Sequence, residues 1–208
     1  MDGVLLDNRR PCYLAVRKVL EHYRCADDFS EEKYMEIWGP DVRMFWRLAG
    51  IPDSVPFEET DAKFWEIYPT IPHHSCFEGA GEALFELSAS GIVLALVSAA
   101  REHDVHLFLD LYAFGNTTMY DLFSAVAGRI LGRAESVSFI AERLGVTSPS
   151  AVAYVDDSPE ALKLAKERGY LAIGMLEGHA SGRRIRAAEP HNLISSPKDL
   201  VGIVENYS

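Results

Sequence analysis

Cysteine is scarce in this chain and forms no pattern. Cys12, Cys25 and Cys76 are odd in number and widely spaced, which fits neither a disulfide framework nor the paired spacings of a zinc site. Reduced thiols of a cytoplasmic protein are the expected reading. Long apolar runs are missing as well. No stretch of about 18 apolar residues exists, so no membrane span is expected. The opening residues, Met1 to Asp7, hold an early acid and no basic segment, so no signal peptide is expected either. Basic charge is in short supply: 20 Lys and Arg stand against 31 Asp and Glu, for a formal net charge of -11. Such a surface repels phosphate backbones and argues against nucleic acid as a partner. A small phosphorylated molecule stays open, because one local cation overrides the global field at short range. Internal repeats and low-complexity segments are absent.

What is present is ordinary in bulk and uneven along the chain. The 208 residues are 48% hydrophobic and 25% charged, enough for one domain carrying a modest insert. From Pro11 to about Cys76 aromatic and charged residues recur at helical spacing and no strand-like run occurs. Tyr13, Val16, Val19, Leu20 and Tyr23 make one stripe. Ser30, followed by Glu31 and Glu32, opens a second helix over Tyr34, Ile37 and Trp38. Val42 to Leu48 and Phe57 to Tyr68 suggest two more. The spacing predicts a small helical bundle, with Trp38, Trp46 and Trp65 in its core.

From about Phe77 the texture changes. Ile92 to Val97 is a continuous apolar run, as in a strand buried on both faces. Leu122–Val126, Ala151–Val155, Tyr170–Gly174 and His191–Ile194 read as further strands. Helices are expected over 80–87, 102–112, 134–144, 159–168 and 197–204. Strands alternating with helices mean βαβ units, hence a doubly wound parallel sheet of Rossmann-like type. Functional residues in such sheets lie beyond the carboxyl ends of the strands.

Four features stand at such places. Asp2-Gly3 marks a tight turn. Ser98-Ala99-Ala100 follows the run ending at Val97 and offers a hydroxyl and backbone N–H groups to a phosphate, although such a serine more often simply caps the next helix. Arg133 opens a helix, against the dipole preference; it either points into a cleft or is a solvated surface residue. Asp156-Asp157 ends a strand. Two adjacent carboxylates call for a cation such as Mg²⁺, or else serve as an Asp-rich cap before Pro159.

In this order the four features resemble the motifs of the haloacid dehalogenase-like superfamily, over nearly the whole chain. Met1-Asp2-Gly3-Val4-Leu5-Leu6-Asp7 is similar to the first motif, Asp-x-Asp-Gly-(Thr/Val)-Leu, from its x position onward. Ile92 to Ser98 resembles the second. Arg133 in Gly-Arg-Ala-Glu-Ser takes the place of the third motif's usual lysine, and Tyr154-Val155-Asp156-Asp157-Ser158 resembles the fourth. The resemblance points to the phosphatase branch with a helical cap, where phosphoglycolate phosphatases and β-phosphoglucomutases belong. It implies a core of residues 1–10 and 77–208 and a cap of 11–76. The activity implied is Mg²⁺-dependent hydrolysis of a small phosphate monoester through an aspartyl-phosphate.

Carried over by resemblance, Asp2 is the general acid/base and ligates Mg²⁺ through its carbonyl. Ser98, Ala99 and Arg133 hold phosphate, and Asp156 and Asp157 hold the metal. A catalytically dead relative that binds a phosphorylated ligand or a protein, and a phosphomutase, are the alternatives; oligomeric state is not legible.

The same resemblance puts the nucleophilic aspartate two residues before Asp2, ahead of Met1. The apolar strand that should carry it, central in the family's sheet between the strands ending at Val97 and Val155, is missing with it. The expectation is that the natural start lies upstream and that the chain as written turns over weakly or not at all. Other residues have blander expectations: His73-His74 a hinge, Arg43 and Arg47 surface positions within reach of a substrate anion, and Gly178 to Arg184 a flexible loop near the site.

Overall fold

A computed structural model describes residues 1–39, 41–72, 75–114, 116–128 and 133–205, without the side chains of 113, 114, 133–136 and 205. After a short strand β1 (Leu6–Asp7) come four helices, α1 (Arg9–His22), α2 (Glu31–Ile37), α3 (Val42–Ala49) and α4 (Phe57–Ile67). Their ends are set by local chemistry. The Ser30 hydroxyl accepts from the Lys33 amide at the start of α2, and the Asp41 carboxylate accepts from the Met44 amide at the start of α3. Gly50, at φ 115°, ends α3 in the left-handed region. The apolar stripe of α1 buries Val16, Val19 and Leu20 against Tyr34, Phe45 and Trp46 in one continuous cluster.

The chain then enters an α/β arrangement: β2 (Ser75–Cys76), α5 (Ala80–Ala89), β3 (Ala95–Val97), α6 (Glu102–Leu111), a hairpin of β4 (Ala113–Phe114) and β5 (Thr117–Thr118), β6 (Ala125–Ala127) and α7 (Arg133–Arg143). After these come β7 (Ala153–Asp156), α8 (Pro159–Glu167), β8 (Leu171–Met175), α9 (Gly182–Ala187), β9 (Asn192–Ile194) and α10 (Asp199–Glu205). Strands β7, β8 and β9 form a parallel sheet in that order, with Val155 beside Ile173 and Gly174 beside Leu193. Strands β3 and β6 form a second parallel pair, Leu96 beside Val126. Strand β1 pairs antiparallel with β2, Leu6 beside Cys76, and so ties the N-terminal turn to the start of the α/β part. Among the described residues no helix is long and apolar enough to cross a membrane.

Among the described residues no ladder joins β3 to β7. Instead Leu94–Val97 on one side and Val152–Val155 on the other border the same open cavity. That gap corrects one expectation. The run Ile92–Val97 was to be buried on both faces, but only Ala95–Val97 is strand, Ala95 is exposed and Val93 is 58% exposed. Among the described residues the run is laddered on the β6 side only, and its first half is tied there just by the Leu94 carbonyl, which accepts from the Ser124 amide, so Ile92 and Leu94 are only partly buried.

Three other expectations change. The region before Cys76 does hold strand residues, because β2 at two residues is too short to show a period. The strand expected over Leu122–Val126 begins only at Ala125, since Tyr120–Leu122 form a 3-10 turn. The segment Gly178–Arg184, expected to be a flexible loop, buries His179 and Ala180 completely and runs into α9, whose first turn is capped by Ser181. Of the three tryptophans only Trp46 is fully in the helical core. Trp38 stacks on His179 and Trp65 lies under the Arg101 guanidinium.

Candidate functional site

The N-terminal turn is closed by backbone bonds. The Met1 carbonyl accepts from the Val4, Leu5 and Leu6 amides, and the Gly3 amide donates to the Leu6 carbonyl at 3.0 Å. Gly3 sits at φ 69°, which an L side chain rarely adopts. It is also needed for space: a Cβ there would fall 2.1 Å from Asp157 Oδ2 and 2.7 Å from His179 Cδ2. Gly178 closes the other side, where a Cβ would lie 2.2 Å from Asp157 Cβ and 2.7 Å from the Gly3 carbonyl oxygen. Asp157, buried at the carboxyl end of β7, is therefore clasped between the Asp2-Gly3 turn and the Gly178-His179 segment. Its Oδ2 accepts from the His179 amide at 2.7 Å.

Around this clasp runs a buried polar network that sequence reasoning did not find. The Asn8 amide nitrogen donates to Asp2 Oδ1 at 2.6 Å and to the Tyr68 hydroxyl at 3.1 Å. Asn8 Oδ1 accepts from the Gly3 amide at 3.3 Å and lies 2.9 Å from His179 Nε2. The other ring nitrogen, His179 Nδ1, is 2.7 Å from the Tyr34 hydroxyl, and the Trp38 ring stacks on the imidazole at 4.4 Å. Asn8 and His179 are fully buried, so each of these bonds replaces lost water. Burial pushes the Tyr68 hydroxyl and the Cys12 thiol well up from their ordinary values, and the negative charge of Asp2 adds to both shifts. No local signal marks Asn8. It precedes α1 like an N-cap, yet makes no capping bond.

The remaining expected residues divide. Ser98 is buried at the carboxyl end of β3; its amide donates to the Ala127 carbonyl and its hydroxyl accepts from the Ala100 amide at 3.1 Å. Ala99 beside it is exposed. Asp156 is buried too, with Oδ1 accepting from the Ser158 amide at 2.8 Å and Oδ2 from the Tyr154 hydroxyl at 2.7 Å. The first carboxylate of the pair thus takes hydrogen bonds from its own strand and turn, and the cap of α8 is Ser158, not either aspartate. Asp2, Ser98, Ala99, Asp156 and Asp157 all border the same cavity. Arg133 is the first residue of α7, but its side chain lies outside the described residues, as do His73 and His74. Arg47 is engaged by the Ile51, Pro52 and Val55 carbonyls, while Arg43 pairs with Glu58 and lies over the Phe57 ring.

Among the described residues no cluster of three or more His, Cys, Asp or Glu side chains forms a metal cage. The oxygen donors present still suit one kind of ion. Mg²⁺ is bound through one or two carboxylates while keeping waters and substrate phosphate as the other ligands. Asp157, buried and clasped against the Asp2-Gly3 turn, offers hard oxygens of that kind, so the donor set fits such an ion without an all-protein cage.

Comparison with known proteins gives the family and the fold. Residues 1–175 match the model of the haloacid dehalogenase-like hydrolase family. A phosphoglycolate phosphatase of Synechococcus elongatus is 25% identical over 205 residues, spanning 98% of this chain and 93% of that protein. Among solved structures, a Haemophilus somnus protein described as a predicted phosphoglycolate phosphatase superposes with a TM-score of 0.79 at 19% identity, covering 98% of this chain and 95% of that one. A hydrolase from Pseudomonas syringae gives 0.74 at 15% identity, covering 99% and 94%. At these identities the structural likeness establishes the fold. The family match covers most of the chain, and the chain belongs to the haloacid dehalogenase-like hydrolases, a family of enzymes.

Proposed function

We propose that the protein is a Mg²⁺-dependent phosphohydrolase acting on a small phosphate monoester, with residues 11–76 as a cap over a core of 1–10 and 77–208. The observation that carries this reading is the packing of the Asp2-Gly3 turn directly against buried Asp157. It brings two carboxylate-bearing segments together, which this reading takes as the acid/base and the metal ligand.

In this reading Asp157, helped by Asp156 and by the Asp2 carbonyl, would hold Mg²⁺, which neutralises charge on the phosphate and the carboxylates. The Ser98 hydroxyl and the Ala99 amide hold phosphate oxygens and Arg133 balances their charge. A nucleophilic carboxylate attacks phosphorus, the ester P–O bond breaks, and Asp2 gives its proton to the departing alcohol. Asp2 then takes a proton from water, the water oxygen attacks phosphorus, and the acyl-phosphate bond breaks to return the carboxylate and release phosphate. The substrate class is consistent with the Synechococcus relative's phosphoglycolate. The reduced thiols fit a cytoplasmic enzyme.

In this reading the nucleophile comes from a strand between β3 and β7, and the open cavity bordered by Leu94–Val97 and Val152–Val155 leaves room for one there. The same cavity supports a second reading for residues 1–208 taken alone: a phosphate binder without turnover. One experiment separates them. Residues 1–208, and the chain extended by the residues encoded directly upstream, are assayed with p-nitrophenyl phosphate and phosphoglycolate, with Mg²⁺ and with EDTA. The extended chain should turn over only with Mg²⁺ and exceed 1–208 by about 10⁴-fold, the scale of losing a nucleophile. Substantial Mg²⁺-dependent turnover by 1–208 would refute the placement of the nucleophile. An upstream sequence without an apolar run ending in Asp would refute it as well.

A further inference from the structure

The chemistry of the buried network fixes its direction. Asp2, as a carboxylate, can only accept, so the Asn8 group 2.6 Å from it must be the NH₂. The Asn8 oxygen then faces the Gly3 amide and His179 Nε2, and since an oxygen cannot donate, Nε2 must carry the proton. In a neutral imidazole Nδ1 is then the acceptor, and the Tyr34 hydroxyl donates to it. The result is a chain of one sense, Tyr34 to His179 to Asn8 to Asp2, that starts on α2 and ends on the Asp2 carboxylate. Each intermediate member is fully buried, where a bond lost is not replaced by water.

The same segment is fastened to α2 by further bonds. The Ser181 amide donates to the Met35 carbonyl at 3.2 Å and the Ser181 hydroxyl to Glu36 at 2.7 Å. The Arg184 guanidinium donates to the Met35 and Trp38 carbonyls and, on α8, to Glu160. Trp38 covers one face of the imidazole. Two of the contacts that hold the His179 ring, the Tyr34 hydroxyl and the Trp38 face, therefore come from α2 and its end.

We infer that His179 is a positioning residue: it couples the seating of α2 on the α/β part to the orientation of the Asp2 carboxylate. This rests on reading Asp2 as the acid/base. His179 meets Asn8 at 2.9 Å, and Asn8 in turn donates to Asp2. The coupling holds one Asp2 oxygen on Asn8 and leaves the choice of its rotamer to a tyrosine on another layer of the fold.

The test needs neither metal nor substrate, so its failure and failure of the phosphatase reading are told apart. Residues 1–208 are labelled with ¹⁵N-histidine and with ¹³C at the aspartate carboxyls, Asp2 being assigned by its loss in Asp2→Asn. At neutral pH the His179 ring should show a single protonated nitrogen, Nε2. Tyr34→Phe should shift the Asp2 carboxyl signal although Tyr34 is not bonded to Asp2. The same substitution in an Asn8→Ala background should leave that signal unmoved. His179→Gln, which keeps a donor where Nε2 stood, should hold the Asp2 signal near its native position, and His179→Leu should not. A ring protonated on Nδ1, or on both nitrogens, overturns the inference from the unsubstituted protein alone, even if every variant fails to fold. So does an Asp2 signal that ignores Tyr34→Phe in a folded variant, or that moves equally without Asn8.

Discussion

Gly3→Ala tests the clasp on Asp157 most directly, because another glycine provides its control. Gly3 and Gly91 both have left-handed backbone, φ 69° and 82°. A Cβ at Gly91 would meet nothing within 4 Å, whereas one at Gly3 would lie 2.1 Å from Asp157 Oδ2 and 2.7 Å from Asp157 Cγ. The backbone penalty for alanine, about 1–2 kcal/mol, is common to both sites, and so is the gain from a stiffer unfolded chain. Only Gly3→Ala must also displace a buried carboxylate. Overpacking of that kind costs about 1–3 kcal/mol, and loss of the charged hydrogen bond to the His179 amide adds about 1.5–3 kcal/mol if the carboxylate swings away. The expected gap between the two variants is about 2–4 kcal/mol. Urea unfolding followed by tryptophan fluorescence reads it: with a slope of roughly 2 kcal/mol per M, the midpoint of Gly3→Ala falls about 1–2 M below that of Gly91→Ala. Asp157→Ala should recover part of the deficit, because it removes two of the three atoms the new methyl meets, leaving His179 Cδ2; a coupling of about 1–2 kcal/mol is expected in the double-mutant cycle. Midpoints that agree within about 0.5 kcal/mol, with no coupling, would refute the close approach.

The cap of α8 rests on Ser158, so Ser158→Ala should lower stability by about 1 kcal/mol in the same assay, and Ser158→Asn should restore most of it. Burial pushes the Cys76 thiol from an ordinary 9.0 up to about 11. Its alkylation by iodoacetamide should therefore be slow at pH 8 and rise about tenfold per pH unit until about pH 11, with site occupancy read by peptide mass spectrometry. The same shift has a sign for stability. Above pH 9 the unfolded chain gives up protons that the folded one keeps, so the contribution is whole below 9 and is lost as pH rises towards about 11. Thermal midpoints that hold steady from pH 9 to pH 11 would contradict it.

Much of the α/β part was legible because its signals are local. The strand Ala153–Asp156, the proline in the first turn of α8, and the glycine beyond its end lie close together along the chain, although the cap itself is Ser158 and not the aspartates the sequence suggested. Periodicity gave the helices before Tyr68 for the same reason. The run Ile92–Val97 misled because a continuous apolar stretch states what a strand wants to bury, not whether a neighbour is there to bury it. Gly178–Arg184 misled in the opposite way: Gly, His, Ser and Arg read as a solvated loop, while the fold packs His179 beneath Trp38 and beside Asp157.

By itself the sequence determined the alternation of the longer strands and helices, the turn at Asp2-Gly3, and the positions of Ser98 and the 156/157 acids at strand ends, since these follow from short-range spacing and from the rule that parallel sheets bear their sites at carboxyl edges. It could not decide that Asp156 satisfies itself within its own turn while Asp157 is clasped by two glycines from distant segments. Nor could it join Tyr34 to Asp2 through residues 179 and 8. Those relations depend on which side chains meet across 145 and 171 positions of separation, and contacts at that range are fixed by packing, which a single sequence records only in the glycines that make room for it.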